Sequence, residues 1–221
     1  MQSKLCRHAL RQIRETFSYK ENYIGEDRHL SHAGLNFALR SYEMEGVGHL
    51  CAMTLKAFWG LMTMETIVIS PMEKDLPLFN MDRMTAFGTE TMLIEFYDTQ
   101  IEPLSQEIQM EFEDLLERDS EIKDTESEAH WYDELLYTFS YGKKGKGVSK
   151  LFDRAQHDYL EKYLKLLWEA PACDKEAKMA RNREFAETLV SQNGPAVDTM
   201  RNHFGEETMR RVVLEHMYGV V

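Results

Sequence analysis

The chain has 221 residues, 43% hydrophobic and 29% charged, with a formal net charge of -12. That length allows a sizeable core, and the excess of acid excludes non-specific nucleic-acid binding. No apolar run reaches the roughly 18 residues that a membrane span needs. Cys6, Cys51 and Cys173 are scattered, with neither a metal spacing nor a disulfide framework. Arg7, Arg11 and Arg14 interrupt the N-terminal apolar residues. Both features lead to the expectation of a reducing, cytoplasmic setting without a signal peptide.

In chain order, Ser3 to Phe17 reads as a helix, with Leu5, Ala9, Ile13 and Phe17 on one side and the three arginines on a solvated side. Tyr19 to His32 is polar and irregular. Its His29 and His32 lack the further ligands of a metal site. Leu35 to Trp59 reads as two strands joined near Gly46 and Gly48, with His49, Cys51, Met53 and Leu55 sharing a face. Leu61 to Ile69, Leu78 to Phe87 and Thr91 to Asp98 continue the series. The short connections predict antiparallel pairing, since a parallel crossover takes a dozen residues or more. Asp82 lies among the apolar residues of one such strand, sharing a face with Leu78, Asn80 and Met84. Two readings stand for it: a solvent-side residue, or a carboxyl aimed into a pocket with a raised pKa.

After Asp98 the period changes to that of a helix. Ile108, Phe112, Leu115 and Leu116 form a stripe following Pro103. Asp119 to Glu128 reads as an acidic loop and Trp131 to Ser140 as a strand. The glycine-rich stretch Tyr141 to Lys150 reads as a solvated loop. Its Lys143, Lys144, Lys146 and Lys150 form the chain's basic patch and offer a contact for an anion or partner. Leu151 to Trp168 is an amphipathic helix. Asp174 caps the next, Gly194-Pro195 ends one helix and opens another, and Glu206 to Tyr218 is the last. Strands first and helices after predict one α+β domain spanning 1–221, a sheet covered by helices.

No nucleophile triad, zinc spacing or dinucleotide fingerprint is present. Glu65, Asp82, Glu95 and Asp98 sit near apolar strands and support only generic acid–base chemistry. The order of several motifs is more specific. Asp75-Leu76-Pro77-Leu78-Phe79-Asn80-Met81-Asp82 is similar to an L-P-x-F-G-x-D motif. Met92 to Asp98 precedes Pro103, and Tyr159-Leu160-Glu161-Lys162-Tyr163-Leu164 follows. Then come Arg183-Glu184-Phe185, Gln192-Asn193-Gly194-Pro195-Ala196 and Phe204-Gly205-Glu206-Glu207. In this order the chain from about Arg40 onward resembles the ferredoxin-dependent bilin reductases.

The resemblance implies a three-layer α/β/α sandwich around a central antiparallel sheet. It also implies reduction of a linear tetrapyrrole with no tightly bound cofactor and no metal. Ferredoxin would supply the electrons and protein acids the protons. Asp82 matches the family's proton-donating aspartate, and His49 falls where a histidine often precedes the site. Asn80, Thr66, Cys51 and Asn193 are the ligand-binding candidates; if ferredoxin is the donor, an acidic donor needs a positive landing site, for which Lys143, Lys144, Lys146 and Lys150 are the local candidates. The sequence departs from the family at three of its positions. Thr66 stands where some members have histidine, Cys51 where a glutamate occurs, and Gly194 where the aspartate follows Asn193. A tetrapyrrole-binding or interaction protein of the same fold is the alternative reading.

Overall fold

The computed structural model describes residues 4–125, 130–192 and 194–221. Strands β1 (Tyr19–Glu21), β2 (His29–His32), β3 (Leu35–Met44), β4 (Gly48–Ala57), β5 (Met62–Pro71), β6 (Leu78–Ala86), β7 (Thr89–Tyr97) and β8 (Tyr141–Gly145) form one sheet. Its order is β1-β3-β4-β5-β6-β7-β8, with β2 also on β3, and every pairing is antiparallel. Strands β2 to β7 follow one another through short connections, which is why these sequence neighbours are also sheet neighbours, whereas β8 joins β7 after α2.

Helices cover both faces. One layer holds α1 (Lys4–Thr16), α2 (Gln106–Glu117) and α3 (Ser149–Glu169). It packs on Tyr42, Leu50, Ile67, Phe79, Met81, Ile94 and Phe96. At its centre Phe79 stacks on Tyr163 at 4.8 Å, and the Tyr163 hydroxyl donates to the Pro77 carbonyl at 2.6 Å. The other layer holds α4 (Lys175–Gln192), α5 (Pro195–Phe204) and α6 (Glu206–Arg211). It packs on Phe37, Leu39, Cys51, Met53, Val68, Leu78 and Tyr97. Alternation along each strand sorts the residues between the two cores. The α+β sandwich expected from the sequence is the observed fold.

Several local expectations differ from the structure. The irregular stretch before His32 contributes β1 and β2, which lie end to end along β3 and leave only short edges. Trp131–Leu135 is a 3-10 turn rather than a strand, closed by the His130 N–H donating to the Asp133 carboxylate at 2.8 Å. The place beside β7 is taken by the basic stretch, which is strand β8 and not a loop. Its Tyr141 and Lys143 alternate inward, and its backbone pairs with Glu90 to Ile94. The last helix is α-helical only to Arg211. Val212–Met217 forms a π-helical turn that lays Val212, Val213 and Met217 on the sheet.

Candidate active site

The strand register brings a polar cluster onto the face beneath the C-terminal helices. Thr66 on β5 lies opposite Asp82 on β6, and Asn80 lies opposite Glu95 on β7. The Thr66 hydroxyl donates to one oxygen of Asp82. The Asn80 amide nitrogen donates to the other oxygen at 2.8 Å and to Glu95 at 2.8 Å. One amide therefore ties two carboxyls together. Leu78 and Val68, buried beside them, are apolar.

This setting holds protons. Burial raises the Asp82 pKa above the usual carboxylate range, although the Thr66 and Asn80 donors oppose the shift. Glu95 is pushed up to about 7, first by burial and then by the Asp82 charge, against hydrogen bonds from Asn80 and Tyr97. Three phenols complete the surroundings. Burial raises the pKa of Tyr97, with the Glu95 charge second. Tyr132 is pushed to about 12 by burial and then by Glu95. Tyr218 is raised by burial, then by Asp82 and Glu95. Near neutrality Glu95 can hold and release a proton, burial shifts Asp82 in the same direction, and the phenols stay neutral donors.

Beyond Asp82 the same face carries Met64, Met84 and Leu93, all half-buried. Met64 and Met84 are cross-strand partners, and Leu93 lies opposite Asp82. They form an apolar approach to the pair. Two surface cavities, of about 670 and 380 Å3, lie away from this cluster.

The other expected site residues are placed as follows. Cys51 is fully buried on the same face under the C-terminal layer, its thiol pKa raised by burial. His49 is not brought to Asp82. At about 3.4 Å per residue and 4.8 Å per strand it stands about 13 Å along the sheet and about 10 Å across it. His49 lines the 670 Å3 cavity, and its Nε2 lies 2.8 Å from the His216 carbonyl. That geometry makes Nε2–H the donor, and burial lowers the ring's pKa. Asn193 lies outside the described residues. Lys143 is buried and ion-paired with Asp124 at 2.6 Å, Lys144 is half-buried, and Lys146 and Lys150 are exposed.

Sequence reasoning named Glu95 only as a generic carboxylate and missed Tyr97, Tyr132 and Tyr218. The period of two relates Glu95 to Tyr97. Nothing in the sequence relates either to a tyrosine more than a hundred residues on.

The sequence matches no family model, and no curated protein matches it. The fold has close counterparts. A crystal structure of phytochromobilin synthase from tomato in complex with biliverdin superposes with a TM-score of 0.79. The match covers 99% of this chain and 83% of that one at 16% sequence identity. The chain thus shares the fold of that protein. Among the described residues no helix is long and apolar enough to cross a membrane.

Proposed function

We propose that the protein reduces a linear tetrapyrrole, or a similar conjugated ligand, held against the sheet face beneath the C-terminal helices. The observation that carries this reading is the Asp82–Asn80–Glu95 unit, two carboxyls with raised pKa values sharing one amide donor. A reductase of this kind adds two electrons and two protons to a conjugated double bond. A low-potential electron-transfer protein of the ferredoxin class supplies the electrons singly. Asp82 delivers a proton to the reduced ligand, and Glu95, held by the same Asn80 amide, is the second carboxyl that can hold a proton beside it. The half-buried methionines offer adaptable apolar contact to a flat ligand. Support also comes from the shared fold with a biliverdin-bound protein.

The test begins with the visible spectrum of biliverdin added to the pure protein. A spectral shift on binding is expected, followed by bleaching of the conjugated band once reductant and ferredoxin are supplied. Asp82→Asn keeps the polar contacts of the carboxyl but cannot supply its proton. It is expected to keep the binding shift and to lose bleaching by about 100-fold or more, as for removal of a proton-transfer group. Equal bleaching in Asp82→Asn removes the assignment. Binding without bleaching in the wild type favours the ligand-holding alternative.

A further inference from the structure

The opposite face of the sheet carries a concentration of charge that this reading does not use. Helix α1 buries Leu5, Ala9, Leu10 and Ile13 and leaves Arg7, Arg11 and Arg14 outside. Spacings of four and three keep these arginines on one side of the helix. Arg40, on β3, approaches them from the sheet. The four guanidinium side chains line one cavity of about 380 Å3, with Tyr19 and Tyr42 in its wall. Arg14 lies 4.7 Å from the centre of the Tyr19 ring, and the Tyr19 hydroxyl donates to the Leu10 carbonyl at 3.0 Å. Glu21 is the carboxylate lining the cavity, and Arg28 at 2.8 Å and Arg40 at 3.6 Å already share it.

Four arginines and one glutamate thus line this hollow, a local excess of basic residues in a chain whose net charge is -12. Like charges gathered around one hollow repel, and an anion between them removes the repulsion. Guanidinium groups present flat forks that match the oxygens of phosphate and carboxylate in pairs. The volume falls in the range of small-molecule sites, about 300–1,000 Å3. The arginines share one half-open hollow with Tyr19 and Tyr42. That shape fits a small ligand better than a protein surface.

We propose that Arg7, Arg11, Arg14 and Arg40 form a binding site for a small polyanion, a molecule with two or more phosphate or carboxylate groups. The site is separated from Asp82 by the thickness of the sheet, since Arg40 and Tyr42 point to the α1 side and Asp82 to the α4 side. The proposal does not depend on what the Asp82 cluster does.

Isothermal titration with inorganic tripolyphosphate on the full chain tests it, first at low ionic strength and then at about 0.15 M salt, where the Debye length is about 8 Å. Saturable one-to-one binding is expected, weaker but still measurable in the higher salt. Arg11→Ala with Arg40→Ala is expected to raise the Kd by about tenfold or more, each guanidinium contributing charge-assisted bonds. Arg11→Gln alone, at an exposed position that should leave the fold intact, is expected to raise it by about threefold or more on the same argument. Lys146→Ala, just past β8 at the far edge of the sheet, should leave it unchanged. No saturation at low ionic strength overturns the proposal, and so does an unchanged Kd in the arginine variants. Capture of polyglutamate that tripolyphosphate does not displace also overturns it, because the patch is then a docking face for acidic protein.

Discussion

Glu95→Gln isolates the cost of ionising Glu95, which is set first by its burial and then by the Asp82 charge. In the unfolded chain Glu95 ionises at its ordinary 4.5, whereas in the fold it does so near 7. The folded state therefore holds the proton more tightly. The associated stability is fully present below pH 4.5 and is lost as pH rises toward 7. With about 1.4 kcal/mol for each pH unit between the two values, the loss amounts to about 3 kcal/mol. Residual water at the half-buried carboxyl reduces that figure. Glutamine accepts the Asn80 hydrogen bond through its carbonyl and carries no charge at any pH. Urea unfolding at pH 5 and pH 8 should show the wild type losing stability between them. Glu95→Gln should lose about 2 kcal/mol less, on the same conversion. Asp82, whose pKa burial also raises, still titrates in the variant, so the profile of Glu95→Gln is shallower but not flat. Parallel pH profiles for the two proteins would show that Glu95 ionises freely, with neither burial nor the Asp82 charge holding its proton.

Phe96→Ala removes a ring that is 1% exposed and contacts Phe79, Phe112 and Phe139 with centroids at 5.3, 4.8 and 5.0 Å. The expected loss is about 3–5 kcal/mol by urea unfolding, and a loss under 1 kcal/mol would mean that the α1–α3 core repacks freely. Gly219 has φ +67, and a Cβ there would lie 2.5 Å from the His49 ring. Gly219→Ala should cost about 1–3 kcal/mol by the same measurement, and an unchanged midpoint would show that the C-terminal strap does not rest on His49.

The strand runs from Leu35 to Asp98 and their order in the sheet were legible in the chain itself. Alternation assigns each residue a face, and short turns leave no room for anything but antiparallel neighbours. The same rule places Asn80 and Asp82 on one face, and only the packing shows that the C-terminal layer covers it. It failed at Tyr141 to Gly145, where lysines and glycines disguise a strand. There the free edge of β7 and the Asp124 carboxylate supply what the local sequence lacks. Trp131 to Leu135 erred in the opposite sense, since apolar residues in a short run look alike as strand or turn until a partner edge is assigned. The proton-holding pair needed the register itself. Only the pairing of β6 with β7 sets Glu95 against Asn80, and only the folding back of the C-terminal segment carries Tyr218 over both carboxyls. Burial, which raises their pKa values, depends on every layer at once. A sequence records periodicity and charge, whereas desolvation arises only once distant segments have excluded water together.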